Sequence, residues 1–236
     1  MTQEQQITVR VQKVKKNRIR MKLFFFATLA VLLLLATIFA KQLCPYDPYA
    51  QDLAQAMKPP SAAHLMGTDT YGRDMFSRVL IGAQTSISST FALVAIITVF
   101  GTAVGVICGY YGGGVDAFVM RISDICLAFP GLVFAMAVAA ILNGGVQNAV
   151  IALALIGWPK YSRIARSQTL AMKELPYIHA SKLAGDTTIQ VVFRHVLPNI
   201  AGTLIVTAAL DIGTMLMELS GLSFLGLGAV APAAEW

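Results

Sequence analysis

The chain has 236 residues, 56% of them hydrophobic and only 13% charged, where an ordinary soluble domain carries about 25% charged residues. With a mean hydropathy of +0.67, that balance excludes a soluble globular domain and points to helices that cross lipid. The net charge of +6 is concentrated before the first apolar run, so it reads as a membrane-topology signal ahead of any nucleic-acid surface.

Residues 1–22 form a basic arm holding Arg10, Lys13, Lys15, Lys16, Arg18, Arg20 and Lys22, which predicts a cytoplasmic N-terminus. Residues 23–40 are an unbroken apolar run, long enough for a transmembrane helix of about 20 residues. It is longer than the core of a signal peptide, and the residues after it, Lys41 to Cys44, do not form a small-residue cleavage site. Residues 41–78 are expected outside, their Pro45, Pro48, Pro59, Pro60 and Gly67 marking a loop with short elements. Cys44, Cys108 and Cys126 are an odd set with two members inside predicted spans, so they read as small apolar fillers and imply no disulfide framework.

Residues 79–236 form the expected membrane core. Ser86 to Tyr110 is the second predicted span, and its Gly101, Gly105 and Gly109 recur every four residues on one face, a seam along which another helix can approach closely. A cytoplasmic loop is expected around Arg121. Ile125 to Leu142 is the third span, kinked at Pro130. Val146 to Trp158 is a short fourth span and Ile200 to Leu219 the fifth, where Asp211 and Glu218 lie seven residues apart on a face shared with Thr207, Thr214 and Met215.

Between them, residues 159–198 are expected inside the cell, with Lys160, Arg163, Arg166, Lys173, Lys182 and Arg194 adding to the positive-inside pattern. Pro176 predicts the first turn of a helix that runs to Ala184 and stops at Gly185, and Ala180 and Ala184 leave a small-residue surface on it. A second helix then starts at a capping box, Thr187 and Gln190, with Ile189, Val192, Phe193 and Val196 as its apolar face.

On these residues the chain resembles the permease subunits of ABC importers, whose coupling loop reads Glu-Ala-Ala, three residues, Gly, nine residues, Ile, any residue, Leu-Pro. Ala180, Gly185, Leu197 and Pro198 keep the pattern and its spacing, while His179, Ser181 and His195 depart from it. Two further stretches resemble the peptide/nickel group within that family: Gly67-Thr-Asp-Thr-Tyr-Gly-Arg-Asp74 with Phe76, Ser77 and Arg78, and Ser220-Gly-Leu-Ser-Phe-Leu-Gly-Leu-Gly228. The resemblance implies an all-α polytopic bundle of the type I importer-permease fold in a bacterial cytoplasmic membrane. Five spans are visible, and a sixth, which family members place after residues 232–236, is expected to be missing. It also implies a second homologous permease, two cytoplasmic ATPase subunits and an extracytoplasmic binding protein as partners, besides membrane lipid, and no nucleic acid. His179, Ala180, Ser181, Gly185, His195, Leu197 and Pro198 are then the ATPase-coupling residues.

No Gly-x-x-x-x-Gly-Lys-Ser/Thr loop occurs, so ATP is expected to be used by partner subunits, with no cofactor bound by this chain and no bond made or broken by it. His64, His179 and His195 are scattered and form no His-Glu-x-x-His helix, which argues against an intramembrane metalloprotease. Asp211, Met215 and Glu218 are the candidate translocation path, because an ionisable side chain in a span normally faces protein or water; for Asp211 an interhelical hydrogen-bond or ion-pair contact with a partner subunit is an equal alternative. Asp211 with Met215, Met217 and the run Ala231 to Trp236 looks more like the nickel members, so nickel or a nickel chelate is the expected cargo, and Asp211→Ala is expected to lower uptake without lowering expression. A di- or oligopeptide cargo is the alternative, and a stand-alone secondary transporter or channel the second one.

Overall fold

A computed structural model describes residues 3–230 and 232–236, with side chains from residue 19 onward. The basic side chains of Arg10, Lys13, Lys15, Lys16 and Arg18 lie outside the described residues. The chain divides into two compact units, Met1–Gln84 and Thr85–Trp236. Among the described residues the structure is helical with one isolated β-bridge, Thr68 to Asp74.

In the first unit, α1 (Gln3–Ile38) includes an apolar stretch, Ile19–Ile38, long enough to cross a membrane, and Phe24, Phe25 and Leu32 stand exposed on it. A single turn, α2 (Ala40–Leu43), leads into residues 44–74, which hold one 3-10 turn at Leu53–Gln55. The Gly67 to Asp74 motif is a scaffold of carboxylate-to-backbone hydrogen bonds. Asp69 Oδ1 accepts from the N–H groups of Tyr71 (2.8 Å) and Arg73 (3.0 Å), and Oδ2 from Arg73 Nε at 2.6 Å. Asp74 precedes α3 (Met75–Tyr111), and its Oδ2 accepts from the Ser77 N–H (2.8 Å) and hydroxyl (2.7 Å) while Oδ1 meets His64 Nδ1 at 2.9 Å.

Burial pushes the Asp74 carboxyl up, but the Ser77 bonds and His64 outweigh it and hold it below its ordinary value. The unfolded chain therefore binds more protons in the acid range. The stability Asp74 adds is complete above about pH 4 and is lost as pH falls through its lower folded value. Limited proteolysis of residues 44–74 is expected to accelerate over that acid step, and Asp74→Asn to shrink the step; an identical step in the variant would count against this role.

In the second unit the core gathers around α6 (Val146–Lys173), which packs against α4 (Gly113–Ala128), α5 (Gly131–Ile141) and α9 (Leu197–Phe224). The glycine seam of α3 meets α6: a β-carbon at Gly101 would stand 2.5 Å from the Trp158 carbonyl oxygen, and one at Gly109 2.8 Å from Thr169 Cβ. The small residues thus let two backbones touch, as their spacing predicts.

Three expectations are corrected. The third span is broken rather than kinked: α4 and α5 meet at 94°, because Pro130 supplies no N–H and forces Phe129 into extended backbone (φ −93°, ψ 145°). Arg121 lies within α4, not in a loop. The fourth span does not stop at Trp158, since α6 continues through Pro159 to Lys173, so the segment between α6 and α9 is far shorter than residues 159–198. By length and composition three helical stretches among the described residues can cross a membrane, four if the bent pair counts as one. α6 is not among them. Its neighbours cover it, burying Ala149, Leu153, Tyr161 and Ala165, and a helix wrapped in protein can carry the charges that lipid would reject.

Candidate functional site

The basic residues of α6 are not a free cytoplasmic cluster. Lys160 Nζ donates to Asp211 Oδ1 at 2.6 Å, Arg163 pairs with Asp124, and Arg166 Nη2 donates to Asp116 Oδ2 at 2.6 Å. Spaced three residues apart, the three cations lie along one side of α6 and bind acids on α4 and α9. Tyr161, fully buried, donates its hydroxyl to Asp211 Oδ2 at 2.8 Å. Asp211 is therefore matched within the chain, and Lys160, expected in a loop after a span ending at Trp158, sits thirteen residues, about 20 Å, before the end of α6 with its side chain half-exposed.

These groups border a cavity of about 270 Å³ lined by Cys126, Lys160, Asp211, Thr214, Met215 and Glu218, with apolar walls from α3, α5 and α6. The three predicted path residues Asp211, Met215 and Glu218 do come together there. Lys160 and Cys126 join them from other helices, which spacing along α9 had no means to reveal. Among the described residues no group of three His, Cys, Asp or Glu side chains is arranged to hold a metal ion.

The segment joining α6 to α9 is built from short caps. α7 (Pro176–Leu183) begins with proline in its first turn and ends before Gly185, whose φ of +98° only glycine adopts without strain. Thr187 and Gln190 form the expected capping box at the start of α8 (Thr188–Val191), with the Thr187 N–H donating to Gln190 Oε1 at 2.7 Å. A π-helical turn, Val192–Val196, then leads into α9, with Pro198 in its first turn. Ile178, Val191 and Val196 are fully buried.

That π turn adds a residue to one winding and rotates the apolar face. Ile189 and Phe193, expected on the packed face, are 69% and 68% exposed, and Val191 takes their place inside. With Leu183, 90% exposed, they leave large apolar side chains open on the segment. His179, Ala180 and Ala184 are exposed beside them. Two of the departures from the family pattern, Ser181 and His195, both face Asp186, which accepts the Ser181 hydroxyl hydrogen, gives its own N–H to the Ser181 carbonyl at 3.2 Å, and lies 3.9 Å from His195 Nε2 and 3.7 Å from Arg194 Nη1. His179 is held only loosely, 3.9 Å from exposed Glu174.

At Gly185 no neighbour lies within 4 Å of a β-carbon, so the constraint is backbone conformation alone. Gly185→Val is expected to strain the turn by about 1–3 kcal/mol and splay α7 from α8, abolishing transport while the protein still reaches the membrane. Transport assays paired with quantification of the membrane-inserted protein check this; full transport by the variant would remove the turn from the coupling path.

Residues 101–236 match the family described as binding-protein-dependent transport system inner membrane component. The chain is 45% identical over 210 residues to the probable D,D-dipeptide transport system permease protein DdpC of Escherichia coli (strain K12), a match covering 89% of this chain and 70% of that protein. It is 39% identical to the dipeptide transport system permease protein DppC of Alkalihalophilus pseudofirmus (95% and 73% covered) and 40% identical to the glutathione transport system permease protein GsiD of Pectobacterium atrosepticum (89% and 70%). An inward-facing structure of the MetNI methionine ABC transporter shares its fold at a TM-score of 0.54 and 22% identity, covering 64% of this chain and 76% of that one. The glycine-seamed bundle, the capped segment between α6 and α9 and these matches lead to one assignment: the chain belongs to the inner-membrane permease components of binding-protein-dependent ABC importers, in the peptide/nickel group, with the all-helical type I permease fold.

Proposed function

We propose that the chain is one permease subunit of an ATP-driven importer that carries short peptides across the cytoplasmic membrane by alternating access. The observation that carries this reading is continuity. The two helices that flank the capped segment, α6 and α9, are the ones that hold Lys160 and Asp211 at the cavity, about 20 Å away along each helix. A push on α7 is thereby transmitted to the walls of the path. The exposed Leu183, Ile189 and Phe193 offer an apolar face to a cytoplasmic ATPase, and a second permease and an external binding protein complete the importer. A lone secondary transporter has no use for such a segment, and purified chain without ATPase partners is expected to be inactive.

The nickel reading gives way to its peptide alternative. It rested on the likeness of Asp211, Met215, Met217, Glu218 and the run Ala231 to Trp236 to nickel members and on a carboxylate with thioether sulfur nearby, whereas both Asp211 oxygens are taken by Lys160 and Tyr161, and the relatives that match along most of the chain are named for dipeptides and glutathione. Side-by-side uptake of radiolabelled dialanine and nickel by cells holding the assembled transporter tests the choice: ATP-dependent dipeptide uptake is expected, and nickel uptake without it would reverse the assignment.

Orientation follows from the remaining charges. A cysteine near Asp69 is expected to react with an impermeant reagent from outside and one near Lys173 to be protected. The reverse pattern would invert the topology.

A further inference from the structure

The cavity bordered by α9 holds three charged groups, and they are not equivalent. Asp211 Oδ1 is bonded to Lys160 and Oδ2 to Tyr161, so those two charges cancel. Glu218 lies seven residues further along α9, about 10 Å on, and lines the same cavity. The charges of Asp211 and Lys160 both reach it, yet among the described residues no donor is hydrogen-bonded to its carboxylate and no cation pairs with it. The cavity thus holds one half-buried acid, Glu218, without a matched counter-charge, with Thr214 and Met215 beside it on the helix. A carboxylate in such a setting attracts an incoming cation that can donate hydrogen bonds, because a charge-assisted bond replaces the water the site has lost.

Resting on the peptide reading above, we propose that Glu218 receives the N-terminal ammonium of a short peptide in transit, making a free α-amine a determinant of passage through this subunit. A primary ammonium has three donors and one positive charge, which matches the unspent carboxylate. An N-acylated peptide offers neither and would leave Glu218 desolvated without a partner. A divalent metal ion is the other ligand a lone carboxylate attracts, but Asp211 is already taken by Lys160 and Tyr161, and among the described residues Cys126, Asp211 and Glu218 are not grouped to hold one. A single carboxylate also suits a transit site, since several would hold the cargo too long.

The test uses the complete transporter, with its partner permease, ATPases and binding protein, in proteoliposomes supplied with radiolabelled L-alanyl-L-alanine and, separately, nickel-63. Glu218→Gln is expected to lower dialanine uptake about tenfold or more while binding-protein-stimulated ATP hydrolysis persists, and Glu218→Asp to retain most of the uptake. Dialanine uptake by E218Q equal to that of the parent overturns the inference, as does a loss confined to nickel. Parent vesicles that hydrolyse ATP and import no dialanine overturn the peptide reading, and this inference with it. Should E218Q fail to assemble, Glu218→Cys in a chain with Cys44, Cys108 and Cys126 replaced by Ala serves instead. An anionic sulfonatoethyl thiosulfonate reagent is then expected to restore uptake and a cationic trimethylammonium one to leave it low; equal responses overturn the proposal.

Discussion

Asp211→Ala is expected to deplete the subunit from the membrane, not merely to slow transport. The native carboxylate is 4% exposed and holds both the Lys160 ammonium at 2.6 Å and the Tyr161 hydroxyl at 2.8 Å. Removing it leaves the fully buried Tyr161 hydroxyl without its acceptor and the half-exposed Lys160 ammonium without its counter-charge. A buried hydroxyl left unsatisfied costs about 1–3 kcal/mol, and the exposed lysine adds little because water screens it. Against a total stability of about 5–15 kcal/mol, that is enough to lower the folded population many-fold. Replacing both buried partners, Tyr161→Phe with Asp211→Leu, removes the stranded hydroxyl and is expected to restore much of the level, because apolar groups in place of both members of a hydrogen bond can be nearly neutral. Immunoblots of membranes and thermal unfolding in detergent compare the three. A single Asp211→Ala protein at parental level and stability would show that the pair is dispensable. The expectation drawn from sequence alone, unchanged expression, placed the carboxylate on the translocation path.

Gly105→Leu is expected to be as damaging by an unrelated route. A β-carbon at Gly105 would lie 2.8 Å from Ala165 Cβ and against the Ser162 carbonyl oxygen, so no rotamer relieves the clash and α3 must move off α6. Overpacking of this kind costs about 1–3 kcal/mol when the neighbours can adjust, and here backbone meets backbone. The loss should grow from Gly105→Ala to Gly105→Leu. Gly202→Ala, at a position with nothing within 4 Å of a β-carbon, is the control and is expected to be neutral or slightly stabilising, since alanine favours a helix by about 0.5–1 kcal/mol. The midpoint of thermal aggregation orders these variants. Equal midpoints for Gly105→Leu and Gly202→Ala would dissolve the seam.

Much of the fold was legible because it is decided locally. Apolar run length announces helices that cross about 30 Å of hydrocarbon, and α1, α3 and α9 follow it. Pro176, Gly185, Thr187 and Gln190 act through φ angles and hydrogen bonds within a few residues, so the caps of α7 and α8 were readable to the residue. The glycine seam was readable for the same reason: a repeat of four places Gly101, Gly105 and Gly109 on one face whatever lies opposite. The phase of the face after α8 was not, because the π turn at Val192–Val196 inserts a residue that a regular helical period cannot anticipate.

What sequence alone determined, then, is the membrane class, the family pattern and the capped segment, all of them properties of neighbours in the chain. What only the tertiary structure decided is which charges meet. Lys160, Arg163 and Arg166 look like solvated cations until Asp211, Asp124 and Asp116 reach them from 51, 39 and 50 residues away. Nothing in local spacing encodes such a pairing, and it matters most at Asp211 and Asp116, the two buried acids of the three, because a buried carboxylate is costly unless it is matched. Once Asp211 is matched, Glu218 is the acid on α9 left at the cavity without a counter-charge, and which of the two it would be was settled by packing.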